Sequence, residues 1–186
     1  MNTPILSTHI PPNFESSPEG VYLKTLYNVG FRLTKISPLI SAFIQFSINQ
    51  KEWVLDVGCG FGIATIPIII DGGKVIANDL NEQNLDSLKR KIPTESHGRL
   101  QFSNAVFPDG IVLADNSLTA ILISRFFRFF TNPKLERTLM LCFQWLKPGG
   151  KIFIGCNKPE LINDTLTNAG FLIERSDPFG IIGQKP

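Results

Sequence analysis

The segment Val54-Leu55-Asp56-Val57-Gly58-Cys59-Gly60-Phe61-Gly62 constrains this chain more than any other. A short apolar run stops at a glycine, and glycines then recur at every second position. Such a run suits a buried strand. The glycines allow a tight turn and leave bare main chain against which a ligand can lie. The spacing is G-x-G-x-G. The dinucleotide fingerprint needs glycine where this chain has Ile63, which argues against NAD or FAD and against a nucleotide-cofactor oxidoreductase. The bland alternative is a glycine turn that only tightens a strand–helix junction, and a second feature weighs against it. Asp79 closes the next apolar run, where an ionised acid can accept both hydroxyls of a ribose. Its own alternative is a helix N-terminal acid favoured by the dipole.

Around this segment the periodicity alternates between strand and helix. Strands are expected at 53–57, 74–78, 99–103, 118–124, 151–156, 171–175 and 180–185. A helix over 62–70 ends at Gly72-Gly73, with Pro67 inside it to loosen or kink its middle. Asn81 caps a helix whose buried face carries Leu85, Leu88 and Ile92. Asn132-Pro133 opens a third, with Leu135, Leu139, Cys142 and Leu146 on one stripe, and residues 159–169 form a fourth. Lys147-Pro148-Gly149-Gly150 is a turn. Alternating strands and helices imply a mostly parallel α/β sheet covered on both faces. Ligands in such sheets lie beyond the carboxyl ends of the strands, at the switch in strand order. The residues there are Asp56–Gly62, Asp79–Leu80, Asn104–Ala105, Ser124–Arg125 and Cys156–Asn157.

Before residue 51 the pattern differs. Residues 1–20 carry four prolines among Ser, Thr and Asn and read as an extended lead-in. Tyr22, Leu26, Val29 and Leu33 recur at helical spacing, and Ser37-Pro38 opens a helix over 39–48. The expected division is an N-terminal extension with cap helices at 1–50 and a ligand-binding domain at 51–186.

Composition excludes several classes. At 43% hydrophobic and 18% charged, the chain has the material for a large core. Net charge is +2 with no basic arm or acidic tail, so no nucleic-acid partner is indicated. Three scattered cysteines and two histidines leave no metal-site spacing; reduced thiols and a cytoplasmic location are the simplest expectation. No membrane span and no secretory leader are visible. Nothing in the sequence fixes the oligomeric state.

The blocks VLDVGCGFG at 54–62, VIANDL at 75–80, ADNSLTAILISRFFRFFTNP at 114–133, LKPGGKIFI at 146–154 and NAGF at 168–171 give the chain a resemblance. It is similar to the class I S-adenosylmethionine (SAM)-dependent methyltransferases, over about residues 50–186. The resemblance implies a Rossmann-like seven-stranded sheet with an antiparallel last strand. It also implies the cofactor SAM and its contacts. Asp56, Gly58 and Gly60 would line the methionine end, with Cys59 and Gly62 completing the loop. Asp79 would bind the ribose hydroxyls and Leu80 would lie against adenine. Asn104 and Ala105 stand where the family often has Asp-Ala near the adenine amino group, and Ser124 closes the set.

The implied reaction is methyl transfer to a small-molecule acceptor; the alternative is a SAM-binding partner or regulator without catalysis. A sulfonium leaving group needs alignment and exclusion of water more than covalent help. No general base stands out. His97 should precede the third strand at the wrong end of the sheet. Asp115 should lie in a loop near the right end but read as a solvated acid. Tyr22 and Tyr27 could reach the site from the N-terminal helices, with packing as the plainer role. Phe126, Phe127, Phe129 and Phe130 are either a core wall or an apolar substrate wall served by Arg125 and Arg128. Residues 1–50 supply material for a lid.

Overall fold

The structure, a computed structural model, describes residues 14–17, 20–23, 38–124, 130–156 and 158–186. It contains two compact units, Met1–Ile36 and Ser37–Pro186. In the first, β1 (Phe14–Ser17) pairs antiparallel with β2 (Gly20–Leu23), Phe14 opposite Leu23. Tyr22 therefore stands in a strand, where Val21 and Tyr22 are both favoured types, and not in the expected helix. Tyr27 and the rest of that helix lie outside the described residues.

The second unit opens with α1 (Pro38–Gln50), started by proline as the sequence indicates. Then follow β3 (Trp53–Val57), α2 (Thr65–Ile70), β4 (Lys74–Asn78), α3 (Glu82–Lys91), a 3₁₀ turn at Thr94–Arg99 and β5 (Leu100–Ser103). After a long connection come β6 (Leu118–Ser124), α4 (Asn132–Trp145), β7 (Leu146–Gly155), α5 (Glu160–Asn168), β8 (Leu172–Asp177) and β9 (Gly180–Gln184). The seven strands lie in the order β5-β4-β3-β6-β7-β9-β8. Pairings from β5 to β7 are parallel, and β9 runs antiparallel to both neighbours. Strand order reverses between β3 and β6, which locates the crevice for a ligand.

The strands alternate between two cores. Val54, Val75, Ala77, Ala120, Leu122 and Phe153 meet α1, α2 and α3, while Leu55, Val57, Ile121, Ile123, Ile152 and Ile154 meet α4 and α5. Both faces are apolar because both are covered. Helix α1 is part of the first core: the Phe43 ring lies 5.8 Å from that of Phe153. The compact unit that holds the sheet begins at Ser37, just before α1.

Two local expectations change. Helix α2 begins at Thr65 and not at Gly62, so Pro67 sits in its first turn. No N–H is needed there, so the proline removes no hydrogen bond of the helix. The turn at 147–150 is an irregularity inside one continuous strand, since Leu146 pairs with Leu118 and Lys151 with Ala120. No helix among the described residues is long and apolar enough to cross a membrane.

Candidate cofactor site at the carboxyl ends of β3, β4 and β5

Gly58, Gly60 and Gly62 all have left-handed backbone, with φ of 67°, 53° and 85°. That is the physical reason for glycine at every second position after β3. Two further bonds hold the loop. The Cys59 amide donates to the Asn78 carbonyl at 2.9 Å, and the Gly62 amide donates to the Cys59 carbonyl at 2.9 Å. Gly62 also has a packing reason, because a β-carbon there would overlap Leu88 of α3.

Asp79 joins this loop to the next. Its Oδ2 accepts the Gly60 amide at 2.9 Å and its Oδ1 accepts the Asn81 amide at 2.9 Å. Asn81 in turn caps α3, its side chain accepting from the Gln83 amide. Asp79 is therefore both an acid at a helix start and a staple of the glycine loop. A carboxylate offers about four lone-pair sites, so two amides leave capacity for two more donors. That capacity fits the vicinal hydroxyls of a ribose.

Asp56, only 2% exposed, lies in β3 just before the loop. Its Oδ2 accepts from the Thr65 hydroxyl at 2.7 Å. Burial pushes its carboxyl up to about 6; the Thr65 bond pulls it down and the Asp79 charge adds to the rise. Burial also raises the Cys59 thiol well above its ordinary value, which keeps it neutral and unreactive.

A third loop leaves β5. The Asn78 side-chain amide donates to the carbonyls of Ser103 (3.1 Å) and Ala105 (2.9 Å), and the Asp79 main-chain amide donates to the Ser103 carbonyl at 3.0 Å. These bonds fix the main chain on either side of Asn104. The Asn104 side-chain amide donates to Glu82 Oε1 at 2.7 Å. Leu80 and Ala105 are half-buried nearby in sequence and strand order, and Ser124 is half-buried at the end of β6 opposite Gly155.

The expected residues thus line the carboxyl edges of four adjacent strands. Thr65, Asn78 and Glu82 were not expected. Asn78 had a signal, a polar residue ending the apolar run Lys74–Asn78. Thr65 and Glu82 had none: the Thr65 bond depends on where α2 begins, and the partner of Glu82 lies 22 residues away. Asp115 is a correction: it lies just before β6, at the amino end, where the neighbouring Asn116 amide bonds the Gln144 carbonyl near the end of α4. His97 sits in the turn before β5, with Nε2 3.1 Å from the Ile92 carbonyl. Arg125, Phe126, Phe127, Arg128, Phe129 and Asn157 lie outside the described residues. Phe130 packs with the second core.

Residues 54–150 match the family model described as "Methyltransferase domain". The chain belongs to this family. Its fold is that of the class I SAM-dependent methyltransferases. The methyltransferase domain is 32% identical over 109 residues to an uncharacterized methyltransferase of Schizosaccharomyces pombe, covering 58% of this chain and 40% of the relative. It is 28% identical over 110 residues to the cypemycin N-terminal methyltransferase of a Streptomyces species, covering 57% and 42%. The chain therefore spans less than half the length of these relatives. Among solved structures, the SAM-dependent methyltransferase of Mesorhizobium loti superposes with a TM-score of 0.62 at 14% identity, over 78% of this chain and 100% of that one. One from Methanosarcina mazei gives 0.61 at 17% identity, over 82% and 99%.

Proposed function

We propose that this domain binds SAM along the carboxyl ends of β3, β4 and β5 and transfers its methyl group to a small-molecule acceptor. The observation that carries the reading is the Asp79 carboxylate. It is fixed by the amides of Gly60 and Asn81 and keeps acceptor capacity for ribose hydroxyls. Gly58, Cys59, Gly60 and Gly62 give the methionine end a bare main-chain floor, and Asp56 gives its ammonium group a buried counter-charge. Leu80 covers one side of adenine, Asn104 and Ala105 meet its amino edge, and Ser124 borders the methyl end.

When bound, SAM supplies a methyl group on an activated sulfonium. The chain's own task is to align an acceptor in line with it and to keep water out. Only Pro178 and Phe179 separate β8 from β9, so that link offers no inserted acceptor-binding segment. The names of similar proteins include an N-terminal methyltransferase and an O-methyltransferase, so acceptor choice varies among the relatives.

Titration calorimetry with S-adenosylhomocysteine tests the site. Asp79→Ala should weaken binding about 5- to 100-fold, as expected for donors left unsatisfied. A folded variant with wild-type affinity would overturn the ribose assignment. Labelled SAM incubated with size-fractionated cell extract tests the reaction. Label in the small-molecule fraction supports the reading. Label only in macromolecules overturns the acceptor class, and binding without any transfer leaves a SAM-binding partner without catalysis.

A further inference from the structure

We propose that Glu82 sets the purine specificity of this site by locking the side-chain amide of Asn104 in one orientation. The inference rests on the adenine contact proposed above and adds to it the residue that makes the contact selective.

An asparagine amide has an oxygen that accepts and an NH₂ that donates, in nearly the same shape. Left free, it can turn either end toward a ligand. A 6-amino purine presents a donor at its edge and needs the oxygen. A 6-oxo purine presents an acceptor and is served by the NH₂. The aspartate often found at this place in the family can only accept, so it needs no further control. Asn104 needs something to decide which end it offers.

Glu82 makes that decision. A carboxylate oxygen accepts and cannot donate, so the 2.7 Å contact with Asn104 is made by the NH₂ end. The Asn104 oxygen is then the end left for a ligand. Turning the amide over would set that oxygen against the carboxylate, acceptor against acceptor.

The main chain beside each partner is fixed by hydrogen bonds. Ser103 and Ala105, flanking Asn104, are tied to Asn78 and Asp79. Glu82 follows Asn81, whose amide bonds Asp79 and whose side chain caps α3. At the first residue of α3, Glu82 also has a favourable place for an acid. The pair thus bridges the two loops that would flank an adenine. Glu82 touches no ligand in this scheme and is a positioning residue.

The test compares S-adenosylhomocysteine with its deaminated analogue S-inosylhomocysteine by calorimetry on the full chain. The wild type should prefer the amino form by about tenfold or more, the scale of one hydrogen bond replaced by a clash of acceptors. Glu82→Ala frees the amide and should cut that preference severalfold while changing affinity for S-adenosylhomocysteine little. Glu82→Lys offers a donor to the Asn104 oxygen, turns the NH₂ outward and should lower the preference below that of Glu82→Ala. A merely structural role for Glu82 would move both affinities together and leave their ratio unchanged; an unchanged ratio in both variants overturns the proposal. Asn104→Ala separates the layers. If it abolishes the preference while the Glu82 variants do not, only the lock fails. If it leaves both affinities at wild-type values, the adenine contact itself fails and the lock with it.

Discussion

Asp56 answers two opposed demands at the scale of single residues. In the free protein its charge is buried and the Thr65 bond relieves only part of the cost, so its carboxyl rises from the usual 3.8 to about 6. The folded chain then holds a proton more tightly than the unfolded chain does. Stability from this group grows as pH falls through 6 and is fully gained near 3.8; above 6 the ionised carboxylate costs roughly 3 kcal/mol at most. Asp56→Asn should therefore melt at higher temperature than the wild type at pH 7, with the gap closing as pH falls toward 4. The same variant should bind S-adenosylhomocysteine more weakly, because the counter-charge for the ammonium group is gone. Thermal melts across pH, with calorimetry at pH 7, check both halves. An apo variant less stable than the wild type at pH 7 would refute the account of Asp56. The Asp56 carboxylate was legible as the one acid within an apolar strand, next to its carboxyl end. Thr65 was not, because the bond depends on where α2 begins, and the apolar pattern put that start at Gly62.

The glycine loop, α3 and the end of β4 form a single joint at the scale of elements. Gly62 is held at φ +85°, and its missing β-carbon leaves room for Leu88. Gly62→Ala should destabilise the fold by about 2–4 kcal/mol, from left-handed strain together with overpacking. In a Leu88→Ala background the same change should cost less, since the overlapping atom is gone. Urea melts of the double-mutant cycle measure this, and strict additivity would show that Leu88 is not the obstacle. The strand ends at 53–57 and 74–78 were readable because apolar runs bounded by glycine or by Asp79 are local signals. The hairpin of β1 and β2 was missed because four-residue strands carry too few residues to outweigh an apparent helical repeat.

Across the whole molecule, stability and function divide between the two ends of the sheet. The proposed site occupies the carboxyl ends. At the amino ends, Lys185 ties three segments together. Its Nζ donates to the carbonyls of Phe143 and Leu146, at 2.8 and 2.7 Å, and to Asn116 Oδ1 at 2.9 Å, and lies over the Phe143 ring. Lys185→Met keeps the stem and removes the donors. It should cost about 1–3 kcal/mol of stability while leaving affinity for S-adenosylhomocysteine unchanged; a loss of affinity without loss of stability would contradict this division of labour. The sequence alone determined the alternation of strands and helices, the tight glycine turn after β3 and the acid after β4. Each follows from torsions and periodicities within a few neighbouring residues. Tertiary structure decided which end of β6 receives Asp115, that α1 belongs to the core, that Asp79 staples two loops, and that Glu82 meets Asn104. Those outcomes depend on chain crossings and on partners about 20 or more residues apart in most cases, where loop closure and packing, not local pattern, select the contact.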